Sequence, residues 1–168
     1  RDGPDWQGIY RPLRTLSFAL DLRLSGDGGT TWLHVHSLIW HAIAAIGVLL
    51  LLRRLVDPAA AAFAALLFAV HPAQVESVAW ITERKNVLSF FFYLLAALSY
   101  LRFDRRGRIP WFLLCVALFM LALFSKTVTA SFPVALAPAF WWRKEPFTRR
   151  RIVSGSILLV VGFLMGML

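Results

Sequence analysis

The sequence predicts an all-α protein, a polytopic transmembrane helix bundle of about six spans or partial spans. Hydrophobic residues make up 59% of the 168 residues and the mean hydropathy is +0.67, whereas soluble domains are about 45–50% apolar. The apolar runs are long, rich in Leu, Ala and Phe, and lack the alternation of polar and apolar residues that a membrane β-strand requires. We therefore expect a single transmembrane domain over residues 1–168.

The N-terminal residues 1–32 are mixed and polar, which predicts a loop outside the membrane. Within this loop, residues 12–24 have the pattern of a short amphipathic helix. One face carries Leu13, Leu16, Leu20 and Leu24, and the other carries Arg14, Ser17 and Asp21. Such a pattern is typical of a helix that lies in the membrane interface. The glycine-rich residues 25–29 predict its end.

Helical spans are predicted over residues 33–168. The apolar segments are residues 33–52, 59–70, 87–101, 111–124, 128–142 and 152–168. Asp57 and Pro58 predict the start of the second helix, because Asp is a good N-cap and proline suits the first helical position. Pro72 predicts its end, because the residue before proline is disfavoured in helical geometry. The second crossing is therefore short, or broken near His71.

The net charge of +9 is unevenly distributed along the chain. Loops 53–57, 102–109 and 143–151 contain eleven Lys or Arg and three acidic residues. The polar segments 1–32, 71–86 and 125–127 contain seven Lys or Arg and six acidic residues. The positive-inside rule then places these three loops in the cytoplasm and the opposite end in the periplasm or lumen. The distribution of charge therefore predicts a multi-pass protein surrounded by membrane lipids. We expect no nucleic acid as a partner.

Residues 71–89, HPAQVESVAWITERKNVLS, form a polar segment between two apolar runs. Ionisable residues in such a place are costly and often mark a functional site. Glu76 and Arg84 are two helical turns apart, so they share a face. One hypothesis is a polar wall that holds an anionic substrate against Arg84 and Lys85; the alternative is a solvated loop with a weak ion pair.

Three of the predicted helices are too short to cross a bilayer comfortably, and all three meet the outer side near His71, Lys126 and Thr127. Short helices are tolerated where they line a cavity, so the pattern predicts an outward-facing pocket, unless the helices are merely tilted. Lys126 is then either a phosphate ligand or a side chain that extends to the interface.

The histidines of the first span, His34, His36 and His41, do not have the spacing of a metal-binding helix and have no adjacent acidic partner. A role in helix packing or substrate contact is favoured for them. The residues alone identify no catalytic group, so the catalytic residues remain unknown. No cofactor is assigned, and a divalent metal remains open.

Several motifs resemble one known family. They are Tyr10-Arg11-Pro12-Leu13, His34 and His41 flanking Ser37-Leu38, the segment HPAQVESVAW with Glu83-Arg84-Lys85-Asn86, and Ser125-Lys126-Thr127-Val128-Thr129 followed by Pro133. Over roughly residues 10–150 the chain resembles membrane glycosyltransferases of GT-C fold, namely the bacterial transmembrane-and-TPR-containing, protein O-mannosyltransferase-like proteins.

This resemblance implies transfer of a mannose-like sugar from a polyprenyl-phosphate donor to a protein or other acceptor on the periplasmic side of the bacterial inner membrane. The residues expected to bind substrate are Arg11, His34, His71, Glu76, Arg84, Lys85 and Lys126. The cations among them would contact the lipid phosphate, while His71 and Glu76 would shape the pocket.

The catalytic base of the family is expected in the first outer loop, upstream of these residues. The chain lacks an initial Met and ends inside an apolar segment. We therefore expect a fragment, inactive alone, that lacks an upstream span and the downstream TPR repeats. The competing hypothesis is a transporter or flippase-type protein without glycosyl transfer, which would predict an internal repeat. No convincing repeat relates residues 33–101 to residues 111–168.

Overall fold

A computed structural model describes residues 19, 23, 30–75 and 84–166 of the chain. Its elements are α1 (Thr30–Leu52), α2 (Pro58–Val70), α3 (Arg84–Arg106), α4 (Ile109–Ser125), a 3₁₀ helix (Thr127–Ser131), α5 (Phe132–Trp142) and α6 (Arg149–Gly166). No strand occurs in these residues, so the all-α prediction is confirmed. The predicted interfacial helix at residues 12–24 lies outside the described residues, apart from helical positions 19 and 23.

The ends of α2 follow the local sequence. Asp57 is the N-cap, and its Oδ1 accepts hydrogen bonds from the backbone N–H groups of Ala59 and Ala60, both at 3.0 Å. Pro58 occupies the first turn, where its missing N–H costs nothing. His71 is extended, with φ −65° and ψ 131°, as expected for a residue before proline. Both predicted ends of α2 are therefore confirmed.

The segment predicted over residues 128–142 is helical throughout, but it consists of a 3₁₀ turn followed directly by an α-helix. The 3₁₀ helix Thr127–Ser131 comes first, and α5 starts at Phe132 with Pro133 in its opening turn. The Thr129 hydroxyl donates to the Lys126 carbonyl at 2.7 Å, and this bond holds the tight turn together. The 11 residues of α5 span only about 16 Å.

Among the described residues, two helical stretches are long and apolar enough to cross a membrane, judged by length and composition. They are Thr31–Leu52 and Lys85–Arg106, each of 22 residues, while α2 and α4 are shorter apolar helices. Few residues of the first stretch are buried, whereas about half of the residues of the second stretch are buried. Helix α3 therefore lies at the centre of the described bundle, and α1 lies at its edge with an apolar surface such as Leu38 and Ile46 exposed.

The core forms where α3 packs on α4, α5 and α6. Its buried residues include Ala96, Tyr100, Phe103, Cys115, Phe119, Phe132, Leu136, Phe140 and Leu158. Cys115 is a free, buried cysteine, as expected for a small core residue. Gly162 allows α6 to approach closely, because a Cβ there would lie 3.3 Å from Cζ of Phe119. The packing of these helices fixes the position of the first turn of α3 beside the end of α4.

Because successive helices alternate in direction, their polar ends gather in two sets. At the basic end, the Arg151 guanidinium donates to both carboxylate oxygens of Asp104, from Nε to Oδ1 at 2.8 Å and from Nη2 to Oδ2 at 2.7 Å. Arg105 also reaches the carbonyl of Arg54 there, at 3.5 Å. The opposite end contains Lys126, Asn86 and His41, and it is the part of the fold that forms cavities.

Candidate functional site

Two cavities adjoin at the end opposite the basic loops. The larger has a volume of about 460 Å³, and its polar lining residues are His41, Gln74, Asn86, Ser89, Tyr93, Lys126, Thr129 and Ser131. The smaller has a volume of about 350 Å³ and is mainly apolar, with His34, His71, Leu38, Val70 and Val75 in its wall. His41 and Gln74 line both cavities, so these two residues lie on the boundary between them.

Lys126 contributes the positive charge of the larger cavity. Its backbone is extended, with φ −157° and ψ 123°, where α4 gives way to the 3₁₀ helix. The backbone is held on both sides, since its N–H donates to the Ala122 carbonyl at 2.9 Å and its carbonyl accepts from the Thr129 hydroxyl. The side chain is half-buried, and none of the described lining residues is a carboxylate. The described part of the lining is therefore electropositive.

Asn86 is a site residue that the sequence analysis missed. It lies in the first turn of α3, and its Oδ1 accepts a hydrogen bond from Nζ of Lys126 at 2.7 Å. The atom facing Lys126 must be the amide oxygen, because an ammonium only donates. The spacing of Asn86, Ser89, Phe90 and Tyr93 fits one helical face, and all four line the larger cavity. That spacing was the available sequence signal for a shared face, but it does not identify Lys126 as the hydrogen-bond partner of Asn86.

His41 joins α1 to the end of α2. Its Nε2 lies 3.0 Å from the carbonyl oxygen of Ala69, and since a carbonyl only accepts, Nε2 carries the proton. The ring also stacks on Phe68 with centroids 5.6 Å apart, and Phe68 stacks on Phe90 at 5.3 Å. This imidazole belongs to the wall shared by the two cavities, and His41 is 9% exposed.

The structure separates the predicted site residues into two groups. Lys126 lines the larger cavity, whereas His34 and His71 lie together in the wall of the smaller one. His71 also accepts a hydrogen bond at Nδ1 from the backbone N–H of Ala73, at 3.1 Å, where the chain becomes helical again after Pro72.

The other predicted residues are not placed in these cavities. Lys85 is half-buried in the first turn of α3 and is not among the described residues that line either cavity. Arg84 begins α3, and only its backbone is described. Arg11 and Glu76 lie outside the described residues. Their predicted roles in substrate binding therefore stay predictions.

The described contacts of His36 lie within α1. Its Nε2 accepts a hydrogen bond from the Trp40 indole N–H at 2.9 Å, one helical turn away. Within residues 30–75 and 84–166, no group of three or more His, Cys, Asp or Glu side chains is arranged to hold a metal ion. The described part of the chain thus offers no ligand set for a divalent metal.

The chain is similar to several protein O-mannosyl-transferases. It is 38% identical to the protein O-mannosyl-transferase TMTC3 of Homo sapiens over 93 residues, which is 55% of this chain and 10% of that protein. Identity with Tmtc1 of Drosophila melanogaster is 41% over 96 residues, or 56% of this chain and 11% of the relative. Identity with TMTC4 of Homo sapiens is 35% over 112 residues, which is 58% of this chain and 15% of that protein. No solved structure matches.

These relatives are much longer proteins, and the chain spans 10–15% of their length. The family model described as dolichyl-phosphate-mannose-protein mannosyltransferase matches residues 12–168, which include all the helices from α1 to α6 and both cavities. This match confirms the family resemblance that the His71–Pro72 and Lys126 motifs indicated. The chain belongs to the dolichyl-phosphate-mannose-protein mannosyltransferase family.

Proposed function

We propose that this chain is the membrane-embedded part of a glycosyltransferase. The enzyme would transfer mannose, or a similar sugar, from a polyprenyl-phosphate donor to a protein or other acceptor. The observation that carries the proposal is the half-buried ammonium of Lys126 in a cavity of about 460 Å³ whose described lining has no carboxylate. A cation in such a setting favours a phosphate ligand.

The chemistry of the transfer explains why a cation is needed. When the bond between the anomeric carbon and the donor oxygen breaks, the electron pair remains on the lipid phosphate, whose negative charge increases. A fixed cation beside that phosphate stabilises the leaving group, because the interaction strengthens as the charge develops. We assign this role to Lys126. The acceptor hydroxyl also needs a base, and we assign none of the described residues to it.

The remaining predicted residues are assigned to substrate binding on the same proposal. Arg11, Arg84 and Lys85 would add positive charge near the lipid phosphate. His71 and Glu76 would shape the pocket, with His34 beside His71 in the smaller cavity. Because the smaller cavity is mainly apolar and adjoins the larger one, it suits the less polar part of a substrate.

The proposed topology has the Lys126 end facing the periplasm or lumen and the arginine-rich end in the cytoplasm. In support, the described helices bring Arg54 and Arg105 together and Asp104 and Arg151 together, at the end away from both cavities. Basic residues concentrate on the cytoplasmic side of multi-pass proteins. We further propose that residues 1–168 form one transmembrane domain of about six spans, with an upstream span and downstream TPR repeats in the whole protein.

The test measures sugar transfer by the full-length protein in proteoliposomes, with radiolabelled polyprenyl-phosphate mannose and an acceptor protein. Lys126→Ala should lower kcat/KM about 10- to 100-fold, the value of a hydrogen bond to a charged group, and Lys126→Arg should retain more activity. Arg53→Ala is the matched control, since Arg53 is an exposed cation at the opposite end.

Three results would contradict the proposal. Full activity of the Lys126→Ala variant would remove Lys126 from the reaction. Absence of transfer with mannose and related lipid-phosphate sugars would overturn the glycosyltransferase itself. Movement of the lipid-linked sugar across the bilayer without transfer would support the transporter hypothesis, which no feature of the described residues favours.

A further inference from the structure

The hydrogen bond between Asn86 and Lys126 crosses the wall of the larger cavity. It joins residues 40 positions apart, from the first turn of α3 to the junction after α4, at 2.7 Å. Both side chains line the cavity. The pair is therefore part of the surface that a ligand would meet.

The chemical type of the partner determines how much charge Lys126 offers to a ligand. A carboxylate would hold the ammonium in place and would also cancel its charge. An amide oxygen holds the ammonium and leaves the full positive charge. Among the residues that the structure describes, no carboxylate lies within 4.0 Å of the Lys126 ammonium. Within the described residues, the charge is thus held in position by a neutral partner.

Positioning matters because a lysine side chain is long and flexible. The backbone of Lys126 is already fixed by its bonds to Ala122 and Thr129. The remaining freedom lies in the side chain, and the bond to Asn86 restricts it. Pre-ordering a side chain in this way lowers the entropy lost when a ligand binds.

We propose that Asn86 is a positioning residue that keeps the Lys126 ammonium in the larger cavity while leaving its charge available to the phosphate of an isoprenyl phosphate. The cavity would thereby select the phosphorylated lipid over the neutral isoprenyl alcohol. This inference rests on the proposed function, because it concerns the same cavity and the same class of donor.

The test is direct binding to the full-length protein in lipid nanodiscs, measured by calorimetry. Farnesyl phosphate is the anionic probe, and farnesol is the neutral probe with the same chain. The variants are Asn86→Asp, Asn86→Ala and, as a matched control, Gln74→Glu. The control adds a carboxylate to the same cavity, because Gln74 also lines it.

Asn86→Asp should weaken farnesyl phosphate binding about 10- to 100-fold, since the new carboxylate holds Lys126 but cancels its charge. Asn86→Ala should weaken it only about 3- to 10-fold, because position is lost and charge is kept. Farnesol binding should not change. The melting temperature of Asn86→Asp should equal or exceed that of the wild type, since an ion pair replaces the hydrogen bond from the ammonium to a neutral amide. A purely structural bond would predict little loss of binding in this variant.

Several results would overturn the inference: wild-type affinity in Asn86→Asp, a larger loss in Asn86→Ala than in Asn86→Asp, or an equal loss of farnesol binding. An equal loss in Gln74→Glu would also overturn it, because general charge in the cavity would then explain the effect. If farnesyl phosphate binding depends on Asn86 but the protein transfers no sugar, only the proposed function is refuted. Intact transfer with unchanged binding by Asn86→Asp would refute only this inference.

Discussion

Substitution of Asp104 by Asn should destabilise the protein by about 2–3 kcal/mol. Asp104 is buried at the basic end of α3, with a side chain that is 7% exposed, and the Arg151 side chain is 11% exposed. Arg151 donates to both oxygens of Asp104, to the Pro146 carbonyl at 2.8 Å and to Glu145. Its guanidinium carbon also lies 4.2 Å from the ring centre of Phe140.

The magnitude follows from what the substitution leaves behind. Removing one partner of a buried ion pair costs about 3–5 kcal/mol, because the other charge stays buried. Here Glu145 and the Pro146 carbonyl remain, and an Asn oxygen still accepts one bond from Arg151. The Asn amino group, however, faces a second donor of the guanidinium. The cost should therefore fall below the full value, but it should exceed that of a single neutral hydrogen bond.

Deprotonation of Arg151 cannot relieve this loss. Its pKa is raised, first by the hydrogen bond to Asp104 and also by the charges of Asp104 and Glu145. A raised pKa stabilises the folded state at every pH below the ordinary arginine pKa, and the effect is lost only as pH rises through the folded value. In the Asp104→Asn variant Arg151 keeps its charge, because the ordinary arginine pKa already lies far above neutral pH. The destabilisation should therefore come from a buried cation that has lost one of its two carboxylate partners, and it should be constant across the neutral range.

The measurement is unfolding of the full-length protein in detergent, by temperature and by denaturant. Arg150→Gln is the matched control from the same cluster. Its side chain is 46% exposed and lies 3.8 Å from the Asp104 carboxylate, so its loss should cost less than about 1 kcal/mol. A cost for Asp104→Asn no larger than that of the control would refute the view that the buried pair stabilises the fold.

Two further predictions concern helix packing. Gly162→Val should destabilise the folded protein by about 1–3 kcal/mol, because the added atoms meet Phe119. Gly155 has open space around it, so Gly155→Ala should stabilise the folded protein by about 0.5–1 kcal/mol. Equal free energies of unfolding for the two variants would contradict this packing. Tyr100→Phe should lower the free energy of unfolding by about 0.6–1.5 kcal/mol through loss of the 2.8 Å hydrogen bond to Ser154. Adding Ser154→Ala to that variant should lower it little further. Additive losses in the double variant would show that the hydrogen bond contributes nothing to stability.

The helices could largely be predicted from the sequence, since the signals that determine them are local. The apolar residues 33–52 predicted α1, and Asp57 with Pro58 predicted the start of α2. The 3₁₀ geometry of residues 127–131 was not predicted, because the Thr and Ser hydroxyls of this segment stabilise a tight turn that an apolar average does not detect. The choice between a 3₁₀ turn and an α-helix depends on hydrogen bonding, which hydropathy does not report.

The site was harder to predict, because its contacts join distant residues. Lys126 could be selected as a polar residue between two apolar segments, and the structure puts it in the larger cavity. Its partner Asn86 is 40 residues earlier, and only the packing of α3 on α4 brings them together. For the same reason, the sequence did not show that His34 and His71 would share a cavity that excludes Lys126.

The two ends of the bundle use cations in opposite ways, and this contrast supports the division of roles proposed above. At the basic end, Arg151 is buried against the carboxylates of Asp104 and Glu145, so its charge is cancelled and it contributes to stability. At the other end, Lys126 is held by the neutral amide of Asn86 beside an open cavity. Asn86→Asp would convert the second arrangement into the first. A protein that gains stability and loses anion binding through that single change would demonstrate that the cavity depends on a charge kept without a counter-ion.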